Sequence, residues 1–264
     1  MKKIAYSVMA LFALGIFFSG VGISYSQEFP EGAVTLYGQS DIKGWDTLPA
    51  TGMIGAQLLT PEGDYLGVIS DLVVDPNTGH ISEVVLSDVP GKGAEQEAVP
   101  FVALSHTGDG VFVLNIPDSF PVWYQGWESP LEFPEPPYSH WAELRFYYSV
   151  EPTPVGSFNV SGLIGAPVET SMGEGVGRVN DLVIDFRNDQ VAYSVLSDVG
   201  GMGGRMVAVP FNELSKSGGN VFTLHTTKEK LLNSPAFAWT EMTDLRYAQN
   251  IYGYYGVQPY WEEK

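Results

Sequence analysis

The chain contains no cysteine, and only 13 of its 264 residues are lysine or arginine. The first absence excludes disulfides, thiolate nucleophiles, thiolate metal sites and a lipid-modified cysteine, so an exported form must be held together by its apolar core. The second, set against 31 aspartates and glutamates, leaves a net charge of −18. Such a surface repels phosphate backbones, which excludes nucleic acid as a partner, and it disfavours anionic lipid headgroups. Histidine is scarce too, at four residues. No His-Glu-x-x-His or paired spacing occurs, so no metal or other cofactor is expected.

Charge is missing altogether between Ile4 and Ile23. Lys2 and Lys3 precede this apolar run, and Ser24-Tyr25-Ser26 places small residues at the −3 and −1 positions before Gln27. That order predicts a signal peptide over residues 1–26 and a periplasmic or secreted bacterial protein. Twenty apolar residues also suffice to span a bilayer, so an uncleaved segment would anchor the chain, its one route to a membrane. Cleavage removes two lysines and no acid, leaving 11 basic and 31 acidic residues, a net of −20.

What the sequence does have is a repeat. Residues 53–114 align with 163–224 at a constant offset of 110, with 27 identities in 62 positions, too many for anything but a duplicated domain. Ile54-Gly55-Ala56 returns as Ile164-Gly165-Ala166, and Asp71-Leu72-Val73 with Asp75 as Asp181-Leu182-Val183 with Asp185. Val85-Leu86-Ser87-Asp88-Val89 returns as Val195-Leu196-Ser197-Asp198-Val199, and Ala98-Val99-Pro100-Phe101 as Ala208-Val209-Pro210-Phe211. Apolar runs in each copy are brief, β-branched and separated by turn residues. In copy one they predict strands near 53–59, 65–74, 80–86, 97–104 and 111–116. So many short strands in about sixty residues bury little unless the sheet closes, which favours a small barrel. The expected domains are 27–150, with a core at 53–116, and 151–264, with a core at 163–226. Glu151-Pro152-Thr153-Pro154 reads as a linker.

The Ile-Gly start, the Asp-Leu-Val-x-Asp second strand, the Val-Leu-Ser-Asp third strand and the Ala-Val-Pro-Phe fourth strand resemble PRC-barrel domains, as found in the photosynthetic reaction centre H subunit and in RimM. The resemblance implies an all-β fold of two tandem six-stranded barrels. It also implies an adaptor or assembly role and no shared catalytic residue.

Each barrel is followed by an aromatic-rich tail with a short helix. The tails supply candidate partner-binding aromatics: Trp123, Trp127 and Trp141 in the first, and Trp239, Tyr254, Tyr255 and Trp261 in the second. The competing expectation is that each tail folds back over its own barrel. In the second tail, Thr240 is expected to cap a helix through Tyr252.

No residue is assigned a catalytic role. Asp71 and Asp75, four apart in an extended strand, would lie about 13 Å apart, beyond the ~6.5–9.5 Å of an inverting glycosidase pair. Gly55, Gly165, Asp71, Asp181, Asp75, Asp185, Asp88, Asp198, Pro100 and Pro210 are therefore read as structural, serving backbone geometry and turns. No calcium-loop pattern supports a calcium site. The leading expectation is an exported, non-catalytic adaptor or scaffold whose partner is another envelope protein or complex. The alternatives are an envelope-polymer hydrolase using Asp or Glu in a barrel–tail cleft, and a membrane-tethered electron-transfer subunit.

Overall fold

The computed structural model describes residues 46–107, 110–115, 144, 148, 152–201 and 203–262. The signal segment and most of the first tail, with Trp123, Trp127 and Trp141, lie outside the described residues. Among the described residues, no helix is long and apolar enough to cross a membrane.

The chain enters through a short strand, β1 (Thr47–Pro49), and one helical turn, α1 (Ala50–Met53). Six strands of the first repeat follow: β2 (Gln57–Leu59), β3 (Tyr65–Val74), β4 (Ile81–Ser87), β5 (Glu97–Pro100), β6 (Leu104–His106) and β7 (Phe112–Leu114). They pair in the order β5-β4-β3-β2-β7-β6, with β2 and β7 parallel and the other neighbours antiparallel. After β8 (Phe158–Asn159) and a 3-10 turn at Val160–Gly162, the second repeat makes the same pattern. Its strands are β9 (Pro167–Thr170), β10 (Gly175–Asp185), β11 (Gln190–Ser197), β12 (Val207–Val209), β13 (Leu214–Gly218) and β14 (Val221–Leu224), ordered β12-β11-β10-β9-β14-β13. The protein thus has the all-β architecture of two small barrels, each with six strands of its own.

Two expected boundaries move. Residues 97–104 are two strands, because Pro100 ends β5 and the chain turns through a 3-10 segment at Phe101–Ala103 before β6. Proline offers no N–H to continue a ladder, and the turn carries the chain from one edge of the sheet to the other, curling it into a barrel. Pro210 does the same ahead of Phe211–Glu213. Residues 53–56, expected as strand, lead out of α1 through Gly55, whose N–H donates to Ile69 at 2.7 Å; Gly165 donates to Val179 at 2.7 Å in the second copy.

Each barrel is completed by a strand from the other half. β1 pairs antiparallel with β10, placing Thr47 opposite Asp185 and Pro49 opposite Val183. β8 pairs antiparallel with β3, placing Phe158 opposite Val74 and Asn159 opposite Val73. The offset of 110 extends to these leaders, so the exchange is reciprocal. A cut at 150/151 separates the repeats in sequence but not in space. The apolar interior is likewise continuous: one buried cluster runs from Leu48 and Met53 through Ile69, Leu86 and Phe112 to Val160, Leu196, Phe222 and Ile251.

The second tail folds over the second barrel. α2 (Lys228–Leu232) is capped by Thr227, whose hydroxyl accepts from Lys230 N–H. α3 (Leu245–Tyr255) buries Tyr247, Ala248, Ile251, Tyr252 and Tyr255. Its cap is Asp244, accepting from Arg246 N–H at 2.8 Å, and not Thr240, because Trp239–Glu241 is spent in a preceding 3-10 turn. Gly256, at φ 74°, ends it.

Candidate functional site

The carboxylates kept in both repeats are where the two halves meet. Asp71 lies in β3, buried. One of its oxygens accepts from Leu72 N–H at 2.9 Å and from Ser161 N–H at 3.0 Å; the other accepts the Ser161 hydroxyl. Asp181 in β10 repeats this with Leu182 N–H at 2.8 Å, Thr51 N–H at 3.2 Å and the Thr51 hydroxyl. Both aspartates, read from the sequence as serving local backbone geometry and turns, clasp the leader of the opposite repeat. Burial pushes Asp181 up to about 6, against the hydrogen bonds from Thr51 and Leu182 that lower it. Thr51 and Ser161 went unnoticed in the sequence because they lie two residues upstream of the aligned block. Extending the alignment at the same offset finds them.

Asp75 and Asp185 organise the turns that follow. Asp75 accepts from Asn77 N–H at 3.0 Å and from the Thr78 hydroxyl at 2.8 Å. Asp185, wholly buried, accepts from Arg187 N–H at 3.0 Å and from Asn188 Nδ2 at 2.7 Å. The two turns then pair across the junction: Ile81 N–H donates to Asp189 at 2.8 Å, and Val191 N–H donates to Gly79 at 2.9 Å, with His80 opposite Gln190. Burial raises Asp189 to about 6; His80 opposes the shift and Asp185 adds to it. Asp88 and Asp198 occupy left-handed backbone at φ 52° and 55°, a conformation that aspartate tolerates.

Second-tail residues lock onto this junction. Tyr252 OH donates to Ala192 C=O at 2.6 Å, and Tyr260 OH donates to Asp185 at 2.7 Å. Burial first, then Asp185, drives the Tyr260 phenol far above its ordinary range. Trp261 packs edge-on to Tyr252 and Tyr260, both at 4.8 Å, and Trp239 packs on Phe237 at 5.0 Å. Tyr254 OH donates to Lys230 C=O at 2.6 Å, and Tyr255 is buried. These four sequence-selected aromatics thus pack within the tail and against the continuous apolar cluster.

Between the two turns, the end of β12 and the tail lies a cleft of about 480 Å³. Asn77, Thr78, Asn188, Gln190, Asn212 and Gln258 wall it, over Val191, Phe211, Tyr252 and Tyr260. The six polar wall residues were not candidates in the sequence, since the repeat does not preserve them: Asn212 stands where copy one has Val102, and Gln190 where it has His80. His106 also acquires a partner, its Nε2 lying 2.9 Å from Asp46. Among the described residues, no cluster of three or more His, Asp or Glu is arranged to hold a metal.

Compared with known proteins, the chain matches the profile of the PRC-barrel domain twice, over residues 46–120 and 156–231. Both matches begin at the leaders that are exchanged. No curated protein matches the sequence. PRC barrels are small β-barrel modules that often serve binding or adaptor roles, and the family is generally non-catalytic.

Proposed function

We propose that this chain, which belongs to the PRC-barrel domain family, works as an exported, non-catalytic adaptor that presents a rigid double barrel to another envelope protein or complex. The observation that carries this reading is the reciprocal clasp. Of the carboxylates shared by both repeats, one pair holds the halves together, Asp71 by Ser161 and Asp181 by Thr51, and a second, Asp75 and Asp185, is engaged by the turns that follow. A general acid or nucleophile needs its polar atoms turned to a substrate, with converging partners. The carboxylate oxygens of Asp71 and Asp181 are turned instead to backbone N–H groups and hydroxyls of the neighbouring repeat. Reading the chain as exported rests on Lys2, Lys3 and the apolar run that follows.

Three measurements test the proposal. N-terminal sequencing of the secreted form should begin at Gln27; recovery solely in membranes with Met1 intact would replace export with anchoring. A panel of glycosidase, esterase, peptidase and phosphatase substrates should give no turnover, while affinity capture from the native envelope fraction returns a reproducible partner. Turnover abolished by Asp71→Asn or Asp181→Asn would overturn the adaptor reading.

A further inference from the structure

The cleft beside the second tail combines features that the adaptor role does not use. Its six wall side chains are uncharged hydrogen-bonding groups, and five of them are primary amides, in a chain whose net charge is −18. Of the carboxylates in the two turns, Asp185 is wholly buried and bonded to Arg187, Asn188 and Tyr260, Asp75 is bonded to Asn77 and Thr78, and neither these two nor Asp189 line the cleft. A charged ligand, basic or acidic, therefore finds no counter-charge on the lining, and burying it there would cost its hydration without return.

Beneath the amides the surface turns apolar. Val191, Phe211 and Tyr252 are buried, and the hydroxyls of Tyr252 and Tyr260 are already donated elsewhere. The tyrosines thus offer ring surface to the cleft.

We infer that this cleft is a binding site for an uncharged saccharide. A sugar ring carries hydroxyls that both donate and accept, which planar amides match with both functions held in one fixed group. It also carries an apolar C–H face that suits an aromatic and aliphatic floor. The volume falls in the ~300–1,000 Å³ range of small-ligand sites. Among the described residues, the lining of this cleft is not repeated in the other half. At the equivalent place across the junction, Asn77 becomes Arg187, Gln190 becomes His80 and Asn212 becomes Val102. Protein-partner capture does not touch this inference, so each can fail without the other.

The test is isothermal titration of the full chain with three uncharged probes: cellotriose, maltotriose and tri-N-acetylchitotriose. At least one should bind at one site per chain. Asn212→Ala and Gln258→Ala should each weaken that binding about three- to tenfold, with the melting temperature unchanged. Failure of all three sugars, a stoichiometry of two, or affinity that ignores both substitutions overturns the inference. So does preferential binding of the neutral peptide acetyl-Gly-Ser-Gly-amide at the same residues.

Discussion

Ser161 donates its backbone N–H and its hydroxyl to the two carboxylate oxygens of Asp71, ninety positions away in sequence. Thr51 makes the same pair of bonds to Asp181 across 130 positions. Two such clasps, one in each direction, mean that neither barrel is finished by its own residues.

Unfolding should therefore be a single event. Tandem domains joined by a linker melt separately, whereas these repeats share strands, clasps and one buried cluster. Urea denaturation followed by tyrosine and tryptophan fluorescence and by far-ultraviolet dichroism should give one coincident transition. Asp71→Ala should shift that whole transition by about 2–4 kcal/mol, through lost charge-assisted bonds and three stranded donors. Two resolved transitions, with only one shifted, would refute the shared fold.

A substitution in the leader of the first repeat should be felt in the second barrel. Leu48 is buried and lies opposite Ile184 of β10. Leu48→Asp should raise hydrogen exchange at Val183 and Asp185 more than at Val73 and Val74 of β3. The reverse order of deprotection would assign β1 to its own barrel.

Asp181 predicts a stability slope in mild acid. Its folded value of about 6 exceeds its ordinary 3.8, so between those values the folded state holds the proton more tightly than the unfolded state does. Its contribution to stability is thus fully present below about pH 4, is lost as pH rises to about 6, and is flat above; the whole loss is at most about 3 kcal/mol. Asp181→Asn cannot ionise yet keeps an oxygen for Thr51 and Leu182 N–H. The variant should lose the slope across that window in urea titrations at stepped pH, and an unchanged slope would exclude Asp181 as its source.

Gly67 and Gly177 should tolerate no side chain. They sit at equivalent bulges, at φ 152° and 155°, where an added Cβ would approach Ser87 C=O to 2.9 Å and Ser197 C=O to 2.5 Å. Gly177→Ala should cost well over 1 kcal/mol, while Gly162→Ala, with open space and no positive φ, should cost little. Comparable melting temperatures for the two variants would contradict the close approach.

How much of this was legible beforehand follows from what the repeat carries. Leu86 and Leu196, Asp75 and Asp185, Pro100 and Pro210 recur because each serves local geometry, and local geometry is written in adjacent residues. Barrel strands could be read from them. The exchange could not be, because a three-residue strand such as Thr47–Pro49 has no periodicity to detect and its partner, β10, lies more than a hundred residues away. The cleft stayed hidden for the opposite reason. Asn212 and Gln258 come from places where the copies have diverged, and comparing the copies draws attention to what they share.

The crossed leaders also set the order in which the chain can become itself. A ribosome or an export channel releases the first repeat long before Phe158 and Asn159 emerge, and until then the edge of β3 at Val73 and Val74 has nothing to pair with. An open edge invites a second nascent chain. The same wait keeps the leading half from locking into a finished barrel, which would suit the export proposed above. Held apart from its own second half, one repeat would find its missing strand in another copy of itself. The protein is a strand-swapped pair whose two members have been joined end to end.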